Sequence, residues 1–370
     1  MFRRFLLTLL ISSMVILPTI GQDKDKEKKE EPKVEKKEDK KPEEKKPEEK
    51  KPEEKKPEEK KPEEKKETPK AGSDKSVLKW KLDKDKKFYQ KMVTETKQNM
   101  KVMNNDVVQN QKQTFYFEWN PEKQDGDIWT IVQKIIGVAM DIDIGSQKIA
   151  YDSTDAKTAT GNPLADFFKA LIDSSFTIKL NTKDMKVTDV DGQKEFVAKL
   201  VTANQAMKPL LEQILSKKAL QDMAEPTFAA IPGKEVAKGD KWKRETTLDM
   251  GPIGKYDNTY EYTYEGKDKD GKLDRISVVS SLKYKEPGEI PGGAGQGLPF
   301  KIKKADLKSS NAKGVILFDP EKGQVVKSDM ELDLTGSLTI EIGGQSTDVA
   351  LSQKQTSAVT TTSENPIPKK

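Results

Sequence analysis

The sequence predicts a mainly β fold with a helical insertion (α+β). Two repeat-related antiparallel β-sheet units should form a curved sheet or half-barrel covered by short helices. Three observations predict this. In Thr114-Phe115-Tyr116-Phe117-Glu118-Trp119 the residues Phe115, Phe117 and Trp119 alternate with Tyr116 and Glu118, the period-two pattern of a strand with one buried face. Thr259-Tyr260-Glu261-Tyr262-Thr263-Tyr264 repeats that pattern and stays in step: Asp125-Gly126 falls opposite Asp270-Gly271, Ile128 opposite Leu273, and Ile131 opposite Ile276. Between the two copies the apolar spacing changes from two to that of a helix.

The chain opens with Arg3 and Arg4, an apolar run from Phe5 to Leu17, Pro18, and the exit Thr19-Ile20-Gly21. This predicts a secretory signal peptide over 1–21. The run is short for a membrane span of about 20 residues, so no transmembrane span is expected after its removal; retention as an anchor is the alternative. Residues 22–72 follow as a Lys/Glu/Pro segment with five tandem Lys-Pro-Glu-Glu-Lys units at Pro42, Pro47, Pro52, Pro57 and Pro62. A proline every five residues forbids a long helix, and almost no apolar side chain is present to offset the entropy of ordering. The segment reads as a disordered, extended tether.

The first β unit is expected over 73–235. A leading strand carries Val77, Leu78 and Trp80. Phe88–Met103 and Val107–Trp119 pair around Asn104-Asn105-Asp106, a turn composition. Strands continue from Ile128 to Met140, then as a hairpin around Gly145-Ser146. Asn162-Pro163 supplies an N-cap and an N1 proline, and opens a helical insertion at about 162–225. Leu164, Phe167, Phe168, Leu171 and Ile172 form its first stripe. After a hairpin over Phe176–Val187 come three amphipathic segments, with Phe196, Val197, Leu200 and Val201, then Leu210, Leu211, Ile214 and Leu215, then Leu220 and Met223 before Pro226.

The second unit, 236–362, opens at Gly239-Asp240-Lys241-Trp242, which aligns with Asp85-Lys86-Lys87-Phe88. Strands are expected at Trp242–Leu248, Tyr256–Tyr264, Leu273–Tyr284, Lys301–Leu307, Val315–Phe318, Val325–Leu334 and Ser337–Ile342. A last strand runs from near Ser346 to about Thr361. The Ser/Thr-rich end from Ser357 is expected to fray, and 363–370 to form a loose tail.

The chain has no cysteine and no histidine. That removes a disulfide framework, a thiolate nucleophile, a Ser-His-Asp triad and an ordinary zinc site. Its net charge of +5 resides largely in the leader and tether, leaving a near-neutral domain without a footprint for nucleic acid. Asp189-Val190-Asp191-Gly192 and Asp268-Lys269-Asp270-Gly271 resemble the middle of a calcium loop. They lack its first ligand (Val187, Gly266) and its closing Glu (Ala198, Ser277), and so read as turns. Ser310-Asn311-Ala312-Lys313 fits Ser-x-x-Lys but lies between strands without the companion motifs. The glycine-rich Gly288–Gly297 lacks a Lys-Ser/Thr sequel and reads as a loop, or as a lid carrying Leu298 and Phe300. No catalytic residue, metal site or cofactor is assigned.

The signal, the tether, the doubled unit and Gly239-Asp240-Lys241-Trp242 resemble an uncharacterised family of exported bacterial proteins of the kind abundant in planctomycetes. The resemblance includes Asn162-Pro163-Leu164-Ala165-Asp166-Phe167-Phe168 and Leu248-Asp249-Met250-Gly251-Pro252-Ile253-Gly254. It implies location and class, with no activity attached. In outline the expected architecture is also similar to the lipoprotein-carrier half-barrels, a fold analogy only.

The function expected is that of a non-catalytic exported protein, periplasmic, cell-envelope or secreted, whose partner is an apolar or amphipathic ligand or an envelope protein. Phe115, Phe117, Trp119, Tyr256, Tyr260, Tyr262 and Tyr264 are the candidate ligand-binding residues, since alternate rings and hydroxyls suit a half-open cradle. The same rings equally suit a packed sheet face. The alternatives are a protein-interaction or structural scaffold on an extended tether, and a hydrolase using carboxylates alone.

Overall fold

Period-two alternation decides most of the architecture. From Phe88 to Val102 every second side chain is buried, and those between are exposed or half-buried. The computed structural model describes residues 75–103, 105–145, 147–159, 164–288 and 300–367. The expected signal peptide, the tether, the Asn162-Pro163 helix start and most of the Gly288–Gly297 loop lie outside the described residues.

The strands are β1 (Lys75–Leu78), β2 (Phe88–Val102), β3 (Asn105–Asp125), β4 (Ile128–Ile144), β5 (Gln147–Asp152), β6 (Ser175–Asn181) and β7 (Lys186–Asp191). They continue as β8 (Lys234–Ala237), β9 (Lys241–Asp249), β10 (Lys255–Lys267), β11 (Asp274–Lys285), β12 (Lys301–Asp319), β13 (Gln324–Ile342) and β14 (Gln345–Thr362). The helices are α1 (Ala165–Leu171), α2 (Gln193–Ala203), α3 (Lys208–Ile214) and α4 (Lys217–Ala229). The protein is thus mainly β, with few helices.

Twelve strands form one antiparallel sheet in the order β7-β6-β4-β3-β2-β14-β13-β12-β11-β10-β9, with β5 added to β4. Read from β9, the second unit (β9 to β13) comes first and the first unit (β2, β3, β4, β6, β7) follows, each in chain order. Strand β14 lies between them, paired with β13 on one side and β2 on the other. The two expected units are therefore halves of a single sheet, within one compact unit. Phe115 and Tyr260 both sit on the second strand of their unit, on its buried face. The registers differ: Phe88 pairs with Trp119, whereas Trp242 pairs with Tyr262 rather than with Tyr264, the residue aligned with Trp119. A slip of two residues keeps every ring on its face; a slip of one would have turned them out.

The sheet is not closed into a barrel. Its edge strands β7 and β9 both pack against α4, which plugs the gap. On the β7 side Lys217 reaches Asp189 and Asp191 at 2.6 and 3.2 Å, and Gln221 Nε2 donates to the Thr188 carbonyl at 2.7 Å. On the β9 side Trp242 Nε1 donates to the Ala230 carbonyl (3.1 Å) and Arg244 Nε to that of Ala229 (3.2 Å). Covering exposed strand edges in this way removes a template for unwanted pairing.

Several boundaries differ from those the sequence predicts. Helix α4 does not stop before Pro226 but runs through it to Ala229. The carbonyls of Phe228, Ala229 and Ala230 at its C-terminal end accept from the Trp80, Arg244 and Trp242 side chains, which add partners where a helix end otherwise lacks them. The segments 301–307 and 315–318 are one strand, as are 325–334 and 337–342. Bulges absorb the breaks in pattern: a register shift falls between Ser310 and Lys313, and Asn311 has a φ of 50°. Gly336, with φ of 151°, lies against the Asp306 carbonyl oxygen, which an added Cβ would approach to 1.9 Å. Residues 357–362 do not fray, because β14 is paired with β2 through Thr362 and with β13 through Thr360. Strand β8, which the sequence reading lacked, pairs with β1 in a separate two-stranded ribbon.

Candidate ligand site on the inner face of the sheet

The seven candidate residues all lie on the inner face and are buried to 6% exposure or less. Phe115 stacks on Phe117, with ring centroids 6.0 Å apart. Trp119 lies flat on Phe88 (5.8 Å, 4° between planes) and meets the Phe228 ring of α4 edge-on (5.7 Å, 89°). Phe228 in turn touches Trp80 at 5.5 Å. On the other edge Tyr262 stacks between Trp242 (5.5 Å) and Tyr260 (6.2 Å), and Tyr256 meets Tyr284 at 5.1 Å. Both rows converge on the C-terminal end of α4. Beside Phe117 and Trp119 remains a cavity of about 50 Å³, also lined by Trp80, Gln90 and Ser328. A water's share of liquid volume is about 30 Å³, so this space holds a small group, not a chain. Trp119 Nε1 and Ser328 Oγ, both buried, have no hydrogen-bond partner there.

Burial keeps the Tyr256, Tyr262 and Tyr284 hydroxyls protonated. Burial pushes the Tyr256 and Tyr262 phenols well above their usual range, and does the same for Tyr284, whose hydroxyl donates to the Ile253 carbonyl at 2.6 Å. Tyr264 donates to Asp274 at 2.7 Å. Asp274, fully buried, also accepts from Ser76 of β1 (2.6 Å) and pairs with Lys267 (2.8 Å). One carboxylate thereby ties the ribbon to the main sheet.

Further along the same strands the inner face turns polar. Registers place Leu334, Gln353, Gln98, Gln109 and Ile144 in one row across β13, β14, β2, β3 and β4. The next row is Leu332, Gln355, Thr96, Gln111 and Ile142, and the third is Met330, Ser357, Thr94, Gln113 and Met140. The nine central residues form a grid of uncharged amides and hydroxyls, each no more than 7% exposed. Some bond within it: Gln353 Nε2 donates to Gln355 at 3.3 Å, and Thr94 and Ser357 share a hydrogen at 3.2 Å. Thr96 Oγ1 and Gln113 Nε2 are buried without a partner. Sequence reading missed this grid because glutamine and threonine carry no apolar signal to mark a buried face. The available signal was parity: Thr94, Thr96 and Gln98 keep step with Phe88 and Met92, and Gln109, Gln111 and Gln113 with Phe115.

On the opposite face a concavity of about 670 Å³ spans β2, β14, β13, β12 and β11. Val93, Val279, Val315 and Ala358 contribute its apolar part, and Glu95, Asp329, Glu331 and Lys313 are among its polar residues.

The acidic turns are occupied by their own chain. Asp268 Oδ1 accepts from the backbone N–H groups of Lys272 and Leu273, both at 3.0 Å, and Asp189 and Asp191 hold Lys217. Among the described residues no group of three or more His, Cys, Asp or Glu side chains is placed to hold a metal. Ser310 to Lys313 is one of the bulges of β12. Two carboxyls of α4 are held above their ordinary range. Burial raises Asp222, against the opposing Lys218 with which it pairs. Burial and the Asp222 charge raise Glu225. Among the described residues no helix is long and apolar enough to cross a membrane.

Fold and site together define a class: a β protein whose one curved sheet, plugged by a helix, presents an inner face that is part aromatic and part uncharged polar. The chain belongs to the DUF6263 family, a family of unknown function, which its residues 126–343 match. No curated protein matches it. Among solved structures it is similar to one described as "Lipid-protein interactions in lipovitellin", at 11% identity and a TM-score of 0.39 over 78% of this chain. The chain spans 27% of the length of that protein. It is also similar to OccK5 (OpdH) of Pseudomonas aeruginosa, at 7% identity and TM-score 0.20, covering 75% of this chain and 99% of that one. The translocator domain of autotransporter NalP from Neisseria meningitidis gives 7% and 0.19, with 74% and 88% covered. Scores this low do not establish a shared fold.

Proposed function

We propose that this protein is a non-catalytic, exported cell-envelope protein that holds an apolar or amphipathic ligand against the inner face of its sheet. The observation that carries the reading is the division of that face into an aromatic stretch and a buried, uncharged polar grid on the same strands. An amphipathic molecule needs both surfaces side by side. Phe115, Phe117, Trp119 and the tyrosines 256, 260, 262 and 264 supply the apolar end, with α4 as the element that must shift to admit a chain. Export is supported by the basic, apolar and small-residue succession at the N-terminus. A non-catalytic role is supported by a sequence without histidine or cysteine.

Native mass spectrometry and organic extraction of the protein purified from exporting cells test the reading. A co-purifying amphiphile, or stoichiometric uptake of an added one, is the expected result. A ligand-free protein that takes up no amphiphile overturns it.

One observation favours a second reading, a protein-interaction surface: the outer concavity, where valines are mixed with charged side chains. Crosslinking in cells through position 279 would then trap one defined partner.

A further inference from the structure

We infer that the grid centred on Thr96 and Gln113 is a subsite for an uncharged, oxygen-bearing headgroup, so that the ligand is a neutral amphiphile such as a glycerol ester. This rests on the binding function proposed above and adds the chemistry of the polar end.

Chemistry and geometry point the same way. Nine polar side chains occupy three neighbouring strands and three successive inward positions. With strands about 4.8 Å apart and inward positions about 6.8 Å apart, the grid measures roughly 10 by 14 Å, enough for one small polyol headgroup. Apolar residues flank it on both sides: Met140, Ile142 and Ile144 on β4, and Met330, Leu332 and Leu334 on β13. A buried amide or hydroxyl without a partner is strongly disfavoured, yet Gln113 and Thr96 are 2% and 3% exposed, and Gln113 Nε2 and Thr96 Oγ1 are buried and unpartnered. The amide offers N–H to an ester or hydroxyl oxygen, and the hydroxyl both donates and accepts. They occupy adjacent rows on neighbouring strands, within reach of one headgroup. No ion is catered for. The lysines beside the grid on these strands, Lys91, Lys97, Lys101, Lys112 and Lys354, have the other parity and are exposed, as is Glu95, which pairs with Lys112. A buried carboxylate or phosphate headgroup would have no counter-charge.

The test uses the full chain and three probes of one chain length: 1-monooleoylglycerol, oleate and oleylamine. Each competes with a fluorescent hydrocarbon probe. The wild-type protein should prefer the glycerol ester over both ions by about tenfold or more. The double variant Thr96→Val, Gln113→Leu should lose roughly five- to tenfold in affinity for the glycerol ester, the loss of one or two uncharged hydrogen bonds. Its affinity for the plain hydrocarbon probe should not change, and Thr96→Ser should restore the threonine contribution. Its melting temperature should stay level or rise, because two orphaned polar groups have been removed; a merely structural role predicts no change in headgroup preference. Equal affinity for all three probes, or preference for an ion, in the wild-type protein overturns the inference even if the variant cannot be made. Equal loss on all probes in the variant does so too. Binding of amphiphiles without headgroup discrimination leaves the broader function standing, whereas no binding at all removes both.

Discussion

Replacing Phe228 by alanine probes the helix that bridges the two sheet edges. The ring is fully buried, and meets Trp80 and Trp119 edge-on at 5.5 and 5.7 Å. Truncating a buried phenylalanine costs about 3–5 kcal/mol, and the two edge contacts put this site toward the upper end of that range. Phe228→Leu, which keeps most of the volume, should cost about 1.5 kcal/mol or less. Urea unfolding followed by tryptophan fluorescence measures both losses. Amide exchange supplies the sharper readout. If α4 clamps β7 and β9 together, Phe228→Ala should raise exchange in 186–191 and in 241–249, which stand at opposite ends of the strand order. A loss below about 1 kcal/mol, or faster exchange at one edge alone, would refute the bridging role.

Other outcomes are expected. Asp274→Ala strands the buried hydroxyls of Ser76 and Tyr264 and should cost about 2–4 kcal/mol; with Ser76→Ala the double variant should fall short of the sum, since the two share one bond. Gly336→Ala forces a side chain onto the Asp306 carbonyl at a positive φ and should lower stability by about 2 kcal/mol or more in thermal unfolding. Glu225→Gln tests pH linkage. Burial raises the folded Glu225 pKa above its unfolded value, so the folded state binds the extra proton and wild-type stability falls as pH rises through the interval between the two values. The glutamine variant escapes that loss. Its advantage in melting temperature should be present above the folded pKa and vanish on acidification below the unfolded one. A constant difference across pH would contradict the assignment.

The sheet was legible because alternation survives wherever one face is apolar. Phe88, Phe115, Trp119 and the tyrosine row set the strands, the face and the doubled unit without help from tertiary contacts. Legibility failed where alternation was hidden or interrupted. Gly336 and the 310–313 bulge break the pattern without ending the strand, because Gly336 is paired on both sides and pairing resumes on either side of the bulge. Pro226 is a strong local stop, overridden by three side chains that reach the end of α4 from elsewhere in the sequence. The polar grid escaped for a different reason. Its residues obey the strand parity but not the equation of polar with solvated, and only the register shows Gln353, Gln98 and Gln109 lying side by side. The burial of the aromatic rings was legible, while the unpartnered groups further along the strands, Thr96 and Gln113, were not.

The position of β14 bears on how the molecule comes into being. Thr94 touches Ser357, 263 positions further along the chain, so the middle of the sheet is stitched by a segment that leaves the ribosome long after β2. Until residues 345–362 arrive, the edges of β2 and β13 stand open and no strand pairing joins the halves across the centre. Such distant pairing slows folding. Backbone pairing across the centre of the sheet is therefore complete only when β14 slots home between its two neighbours.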